Sequence, residues 1–330
     1  MALVRVDPDH PDPKALRTAA ATLRNGGLVA FPTETVYGLG AHALDPRAVA
    51  GIYAAKGRPA YNPLIVHVAD AQAAQALVTN WPLSAELLSR AFWPGPLTMV
   101  LPKSDAVPAA ITAGLPNVGI RVPAHPVALA LLRQAGVPVA APSANKFTEI
   151  SPTTAQHVID SLGDAVDLVV DGGPTTVGIE STVVDLTGPT PRVLRPGMIS
   201  AAQIAAVVGA VDDRPVVVEE GAARSSPGMV DRHYAPHAHV RLFDEATRGD
   251  ALADATAVSK TGARVGSLAF SALPVDEPRV MPANAAAYAK RLYAELHALD
   301  ERGCALILIE RLPATPEWAG VRDRVERAAR

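Results

Sequence analysis

Residues 28–40 read Leu28-Val-Ala-Phe-Pro-Thr-Glu-Thr-Val-Tyr-Gly-Leu-Gly40. Leu28 to Phe31 is an apolar run of strand length, ended by Pro32. Thr33, Thr35 and Tyr37 then put hydroxyls in a polar loop, and Gly38 and Gly40 let backbone N–H groups approach a ligand. A plain glycine-containing turn from strand to helix fits the same residues. Just upstream, Leu16, Ala19, Ala20 and Leu23 recur at helical spacing, and Asn25-Gly26-Gly27 stops that helix. The same theme repeats downstream. Strand-like runs occupy 64–68, 97–101, 118–122, 137–141, 168–170 and 182–186, and helical patterns occupy 46–55, 70–78, 83–92, 126–135, 153–162 and about 200–208. Strands alternating with helices predict an α/β fold. No clear helix separates 97–101 from 118–122, so a mixed sheet is expected rather than a purely parallel one.

Residues 220–238, rich in Gly, Pro, Ser and His, carry neither period and read as a linker. Beyond it come strands at 240–243, 265–270 and 305–309 and helices near 245–258, 284–299 and 317–329, a second and smaller α/β unit. The expected division is 1–210, a joining segment 211–238, and 239–330.

A chain of 330 residues with 49% hydrophobic and 19% charged side chains can bury two cores. A formal net charge of −3 argues against a protein that wraps nucleic acid, so no stable nucleic-acid binding is expected. Cys304 is the single cysteine, which excludes an intrachain disulfide and a cysteine metal cluster and suits a reducing compartment. The opening residues have no signal core or basic targeting helix, and no apolar run spans a bilayer. A soluble cytoplasmic protein is expected, with no membrane partner. Lysine is scarce, six residues against twenty-four arginines, so a lysine in a short polar loop is less easily surface filler.

Several short segments carry candidate chemistry. Lys56-Gly-Arg58 places two cations one residue apart ahead of a buried strand, a cradle for an anion or else a solvated helix end. His67 sits among apolar strand neighbours, where a structural histidine is equally at home. Trp93-Pro-Gly-Pro-Leu-Thr98 reads as a rigid structural turn. Arg121, flanked by strand residues and closed by Pro123, must reach solvent or meet a carboxylate or phosphate. Its planar fork suits an amino-acid carboxylate. Ala140-Ala-Pro-Ser-Ala-Asn145, with Ser151 as an N-cap before Pro152, resembles phosphate sites built from loops and helix N-termini. Gly178-Ile-Glu-Ser-Thr182, Arg195-Pro-Gly197, and Ser226-Pro-Gly-Met229 with His233-Tyr-Ala-Pro236 complete the set. There is no GxxxxGK[ST] loop, no GxGxxG, no HExxH and no GxSxG, so a P-loop ATPase or a covalent hydrolase is not expected.

Together, PTETVYGLG, KGRP with NPLIVH, WPGPLT, RVPAHP, APSAN, GIESTVVD and LRPG resemble the threonylcarbamoyl-AMP synthase family with its YrdC-like fold, in order and spacing over roughly residues 10–200. SPGM with HYAP, A-x-x-Y-A-x-x-L-Y and the terminal D-R-V-x-R-A extend the likeness to the long form with a C-terminal domain. The resemblance implies a YrdC-like unit with a twisted mixed sheet and flanking helices, then a Rossmann-like unit. It implies that L-threonine, bicarbonate and ATP become threonylcarbamoyl-AMP and pyrophosphate, for the threonylcarbamoyladenosine of tRNA, with a tRNA-modifying transferase complex as downstream acceptor. It implies Thr33, His67, Arg121, Ala141 and Ser181 around threonine. Lys56, Arg58, Thr112, Ser143, Asn145, Ser151, Arg195 and Tyr234 would hold ATP, with Lys56 and Arg58 as the catalytic cations. Mg²⁺ is expected with ATP, and no protein metal ligand is assigned. After SPGM the family commonly has a basic and an aromatic residue, where this chain has Val230 and Asp231. Residues 226–236 would then form a lid. Such a reaction needs positioning and charge neutralisation rather than an enzyme nucleophile. The carbamoyltransferase of hydrogenase maturation, a rival with the same fold, carries zinc-finger cysteines that one Cys cannot supply. An RNA-binding module is the rival from another class, and the role of 240–330 is open.

Overall fold

The computed structural model describes residues 1–59, 61–214 and 234–330. Ser226–Met229, Val230, Asp231 and His233, and with them most of the expected lid, lie outside the described residues.

Ten strands form the first sheet: β1 (Ala2–Arg5), β2 (Val29–Pro32), β3 (Tyr37–His42), β4 (Ile65–His67), β5 (Leu97–Pro102), β6 (Asn117–Arg121), β7 (Val139–Ala140), β8 (Leu168–Asp171), β9 (Thr182–Asp185) and β10 (Arg192–Arg195). Their spatial order is β1-β8-β2-β3-β7-β4-β6-β5-β9-β10. The expected mixed sheet is present. β5 and β6 pair antiparallel across a connection whose one helix is the four-residue Ala109–Thr112, while β4 pairs β6 and β9 pairs β5 in parallel. The second sheet holds β11 (His239–Phe243), β12 (Arg264–Ala269), β13 (Glu277–Val280) and β14 (Cys304–Glu310), all parallel, in the order β11-β14-β12-β13.

Helices cover both faces of the large sheet. The Pro13–Arg24 helix starts at Asp12, whose carboxylate accepts from Lys14 N, with Pro13 in the first turn. It buries Leu16, Ala19, Ala20 and Leu23, the four residues whose spacing predicts it. These meet Leu131 and Leu132 of the Pro126–Ala135 helix over Phe31 and Val139 of the sheet. On the opposite face Val49 and Ile52 of the Pro46–Lys56 helix join Leu39, Val66 and Ile120. Each fully buried leucine or isoleucine there contributes about 1.5–3 kcal/mol.

One local reading is corrected. Residues 37–42 are strand β3, not the polar loop of a strand-to-helix turn, and the β2–β3 turn is confined to Thr33–Val36. A Cβ on Gly40 would stand 2.8 Å from the Phe31 ring and 2.9 Å from Val139. Its glycine is there for close packing within the sheet, not for ligand approach.

The two units touch through the Ala285–Glu301 and Ala319–Ala328 helices. Gly178, at φ +87, lies so close to the first of these that a Cβ would meet Ala289 O at 2.4 Å. Among the described residues no helix is long and apolar enough to cross a membrane.

Candidate functional site

The strand ends and loops around the centre of the large sheet frame a cleft with about 540 Å³ of space between atoms, part of it open to solvent. Thr33, Thr35 and Val36 enter from the β2–β3 turn and Gly38 from β3. Ile65 and His67 come from β4, Arg121 from β6, and Ala141, Pro142 and Ser143 from the loop after β7. Glu180 and Ser181 precede β9, Arg195 ends β10, and Arg58 and Tyr234 complete the lining. Nine of the thirteen residues implied by resemblance therefore converge here.

The β2–β3 turn organises itself and then Arg121. Thr33 Oγ1 accepts from Thr35 N and Val36 N, both at 3.2 Å, and donates to Val36 O at 2.6 Å. The Thr35 hydroxyl, 2.8 Å from that of Thr33, accepts from Arg121 Nη1 at 3.0 Å. Arg121 Nε donates to Gly95 O, which gives the Trp93–Thr98 turn a part in holding the fork. Arg121 Nη2 and Glu34 Oε1 stand 2.6 Å apart, an ion pair 5% and 7% exposed whose atoms are not in line for a hydrogen bond. The other Glu34 oxygen accepts from Ala124 N. Of the outcomes open to a strand arginine, meeting a carboxylate is the one realised, and the carboxylate belongs to the chain itself.

His67 is buried, and burial first, then the nearby Arg121 charge, push its imidazole down to about 3. It is neutral at physiological pH. Its Nδ1 is buried without a hydrogen-bond partner among the described residues, a polar atom in the cleft wall that a ligand could satisfy. Arg58 donates to Pro63 O at 2.9 Å, and burial lowers it to about 10, which leaves it charged. Arg195 Nε and Nη2 both donate to Ser181 O, at 3.1 and 3.0 Å, and Nη2 also reaches Ser181 Oγ. The hydroxyls of Ser181 and Thr98 stand 2.8 Å apart. Tyr234, 1% exposed, has its ring 5.8 Å from that of Tyr293.

Four expected site residues stand elsewhere. Lys56 ends its helix facing the back of the 141–145 loop. Its Nζ donates to Ser143 O at 2.6 Å and to Asn145 O, and it is buried enough to hold the ammonium well below the usual lysine range. Asn145 turns its amide to Lys146 O and Glu149 O, closing the same loop. Ser151 is not an N-cap. Thr154 caps the Ala155–Leu162 helix, and Ser151 Oγ instead donates to Glu180 Oε1 at 2.5 Å. Thr112 lines an adjoining depression, partly open to solvent, with Thr98 and Asn117 as its other polar side chains and Ile65 shared between the two spaces.

The sequence gives Thr35 only as a loop hydroxyl and singles out no role for Glu34, Thr98, Asn117 or Glu180. For the two glutamates a signal existed: a carboxylate inside an otherwise apolar or hydroxyl-rich segment must find a partner. Among the described residues the lining holds three guanidinium groups, those of Arg58, Arg121 and Arg195, and one carboxylate, Glu180, with Arg121 already paired to Glu34. Among the described residues no lining serine has a base within hydrogen-bond reach. Cys304, buried in the second unit, is not part of the lining.

Residues 21–197 match the protein family described as "Telomere recombination", and residues 199–330 match the one described as "Threonylcarbamoyl-AMP synthase, C-terminal domain". The chain is similar to the threonylcarbamoyl-AMP synthase of Pyrococcus abyssi, at 41% identity over 318 residues covering 95% of this chain and 94% of the relative. It is similar to the threonylcarbamoyl-AMP synthase of Bacillus subtilis, at 42% identity over 327 residues covering 96% and 93%. Among solved structures it resembles P. abyssi Sua5 complexed with L-threonine, with a TM-score of 0.92 and 39% identity over 100% of this chain and 98% of that one.

Proposed function

The chain belongs to the threonylcarbamoyl-AMP synthase family, and from that premise we propose that its cleft condenses L-threonine, bicarbonate and ATP into threonylcarbamoyl-AMP and pyrophosphate. The observation that carries the reading is the cleft itself, which gathers three buried guanidinium groups, several hydroxyls and a neutral imidazole and, among the described residues, no nucleophile–base pair. That set suits a reaction between substrates rather than through the enzyme. The neutral threonine amine attacks the bicarbonate carbon and water leaves. An oxygen of the resulting carbamate attacks the α-phosphorus, and the bond to the bridging oxygen breaks to release pyrophosphate.

In this reading Thr33, His67, Arg121, Ala141 and Ser181 form the threonine end. Uncharged His67 presents Nδ1 to the amino acid and adds no positive charge beside its amine. Arg58, Ser143, Arg195 and Tyr234 form the triphosphate end, and Thr112 in the adjoining depression meets the nucleoside. Lys56, Asn145 and Ser151 act at one remove, by shaping the walls. Magnesium enters as the counter-ion of ATP. Glu180, the one carboxylate of the lining among the described residues, has both oxygens engaged, so the ion is carried by phosphate oxygens and water.

The catalytic work falls to 1–210, the join to 211–238, and support of the cleft to 239–330. We assign the product to a tRNA-modifying transferase in the cytoplasm. The test is pyrophosphate release with ATP, Mg²⁺ and bicarbonate, measured across the twenty amino acids. Release that needs both threonine and bicarbonate is expected. Equal release with serine or with no amino acid sinks the threonine assignment, since one methyl group supports about 10–200-fold discrimination.

A further inference from the structure

The Ala319–Ala328 helix sends Arg324 against Glu180, behind the lining of the cleft, with none of its side chain exposed. Arg324 Nε donates to Glu180 Oε2 at 2.7 Å, and Nη2 reaches Glu180 O at 3.4 Å. Its Nη1 donates to Pro196 O at 2.9 Å and to Asp323 Oδ2 at 2.6 Å. The guanidinium carbon lies 5.2 Å from the centre of the Tyr234 ring. Glu180 accepts in addition from Ser151 Oγ and from Tyr293 OH, the latter at 3.1 Å. Burial works against the Glu180 carboxylate, yet the Arg324 and Arg195 charges keep it below the usual carboxylate range, so it is ionised.

An ionised carboxylate in the wall of a triphosphate site is a liability. It repels the phosphates and competes for the field of Arg195, whose carbonyl anchor, Ser181 O, is on the next residue. Arg324, 144 residues away in sequence, is the cation that answers it.

We propose that Arg324 is a positioning residue for nucleotide binding: it takes up the charge of Glu180 and keeps the cleft cationic where the triphosphate sits. The second unit thereby has a part in the reaction. This rests on reading the cleft as the ATP site. One unit charge roughly 8–12 Å from a phosphate, at an effective dielectric of about 20, changes binding about 10- to 30-fold.

The experiment uses the full chain and reads binding of a non-hydrolysable MgATP analogue by calorimetry, alongside KM for ATP and for threonine. Arg324→Gln should weaken analogue binding about tenfold or more and raise the ATP requirement far more than the threonine requirement. Glu180→Gln/Arg324→Gln should recover most of that binding, although the contacts to Pro196 and Asp323 are still gone. Arg324→Lys, which keeps the charge, should bind the analogue more tightly than Arg324→Gln. A double variant that binds no better than Arg324→Gln overturns the proposal. So does an equal rise of both KM values with no rescue by lysine, which is the behaviour of a packing pin. Should Arg324→Gln fail to fold, Glu180→Gln alone decides: it must bind the analogue at least as well as the parent chain, and weaker binding overturns the proposal. Because binding is read without turnover, a chain that binds MgATP in this charge-dependent way but releases no pyrophosphate with threonine refutes the proposed reaction and leaves the role of Arg324 standing.

Discussion

Replacing Lys56 by methionine keeps the length of the side chain and removes its ammonium. The two carbonyls it holds, Ser143 O and Asn145 O, belong to the loop that presents Ala141 and Ser143 to the cleft. Lys56 is 2% exposed, so water cannot take over. Leaving a buried acceptor unsatisfied costs about 1–3 kcal/mol, and two of them, less the recovered desolvation of the amine, give about 2–4 kcal/mol. For a unit of this size that is a fall in melting temperature of roughly 5–15 °C. Thermal unfolding of Lys56→Met beside the parent chain measures it, and the threonine and ATP requirements should rise together because the loop serves both ends. A variant with parental melting temperature and a loss confined to ATP binding refutes this reasoning and makes Lys56 a phosphate ligand.

Arg58→Gln is the counterpart: it removes a lining cation that holds one carbonyl, so ATP affinity should fall about tenfold or more with a melting temperature within a few degrees of parent, and a parental ATP requirement rejects the role. Arg121→Lys keeps a charge but loses the fork shared among Gly95, Thr35 and Glu34, so KM for threonine should rise far more than KM for ATP; equal rises make Arg121 purely structural. His67 is held near 3 when folded and sits near 6.5 when unfolded, so below about pH 6.5 the unfolded chain binds the extra proton and stability falls with pH. Between about pH 8 and pH 5.5 this costs about 1.4 kcal/mol, which His67→Asn should abolish in urea unfolding at the two pH values; an unchanged pH dependence contradicts the buried neutral imidazole.

Periodicity makes an element legible when side chains mark its faces. Leu16, Ala19, Ala20 and Leu23 announce their helix because all four are buried on one side. Strand β3 is hidden because Gly38 and Gly40 have no side chains with which to alternate. β1 is hidden because its four residues are mostly exposed at the sheet edge. Ser151-Pro152 carries the signature of a helix start, but Thr154 stands next to the first helical residue and takes the cap. The cleft was legible wherever several motifs each supplied one polar residue at a strand end, as with Thr33, His67, Arg121, Ser181 and Arg195. Side-chain direction was not. The rarity of lysine flags Lys56, yet nothing local says that a residue ending its helix turns toward a loop some ninety positions away. Arg324 is the extreme case, since its partner Glu180 lies 144 residues upstream and only the packing of the second unit brings them together.

The most direct test of the central claim is isotopic. The purified chain is incubated with MgATP, L-threonine and ¹³C-bicarbonate, and the products are read by mass spectrometry together with pyrophosphate. One labelled carbon in a threonylcarbamoyl-adenylate, formed in step with pyrophosphate and absent when threonine is omitted, is the predicted result. Pyrophosphate without a labelled adenylate, or a threonyl-adenylate that carries no bicarbonate carbon, would contradict it.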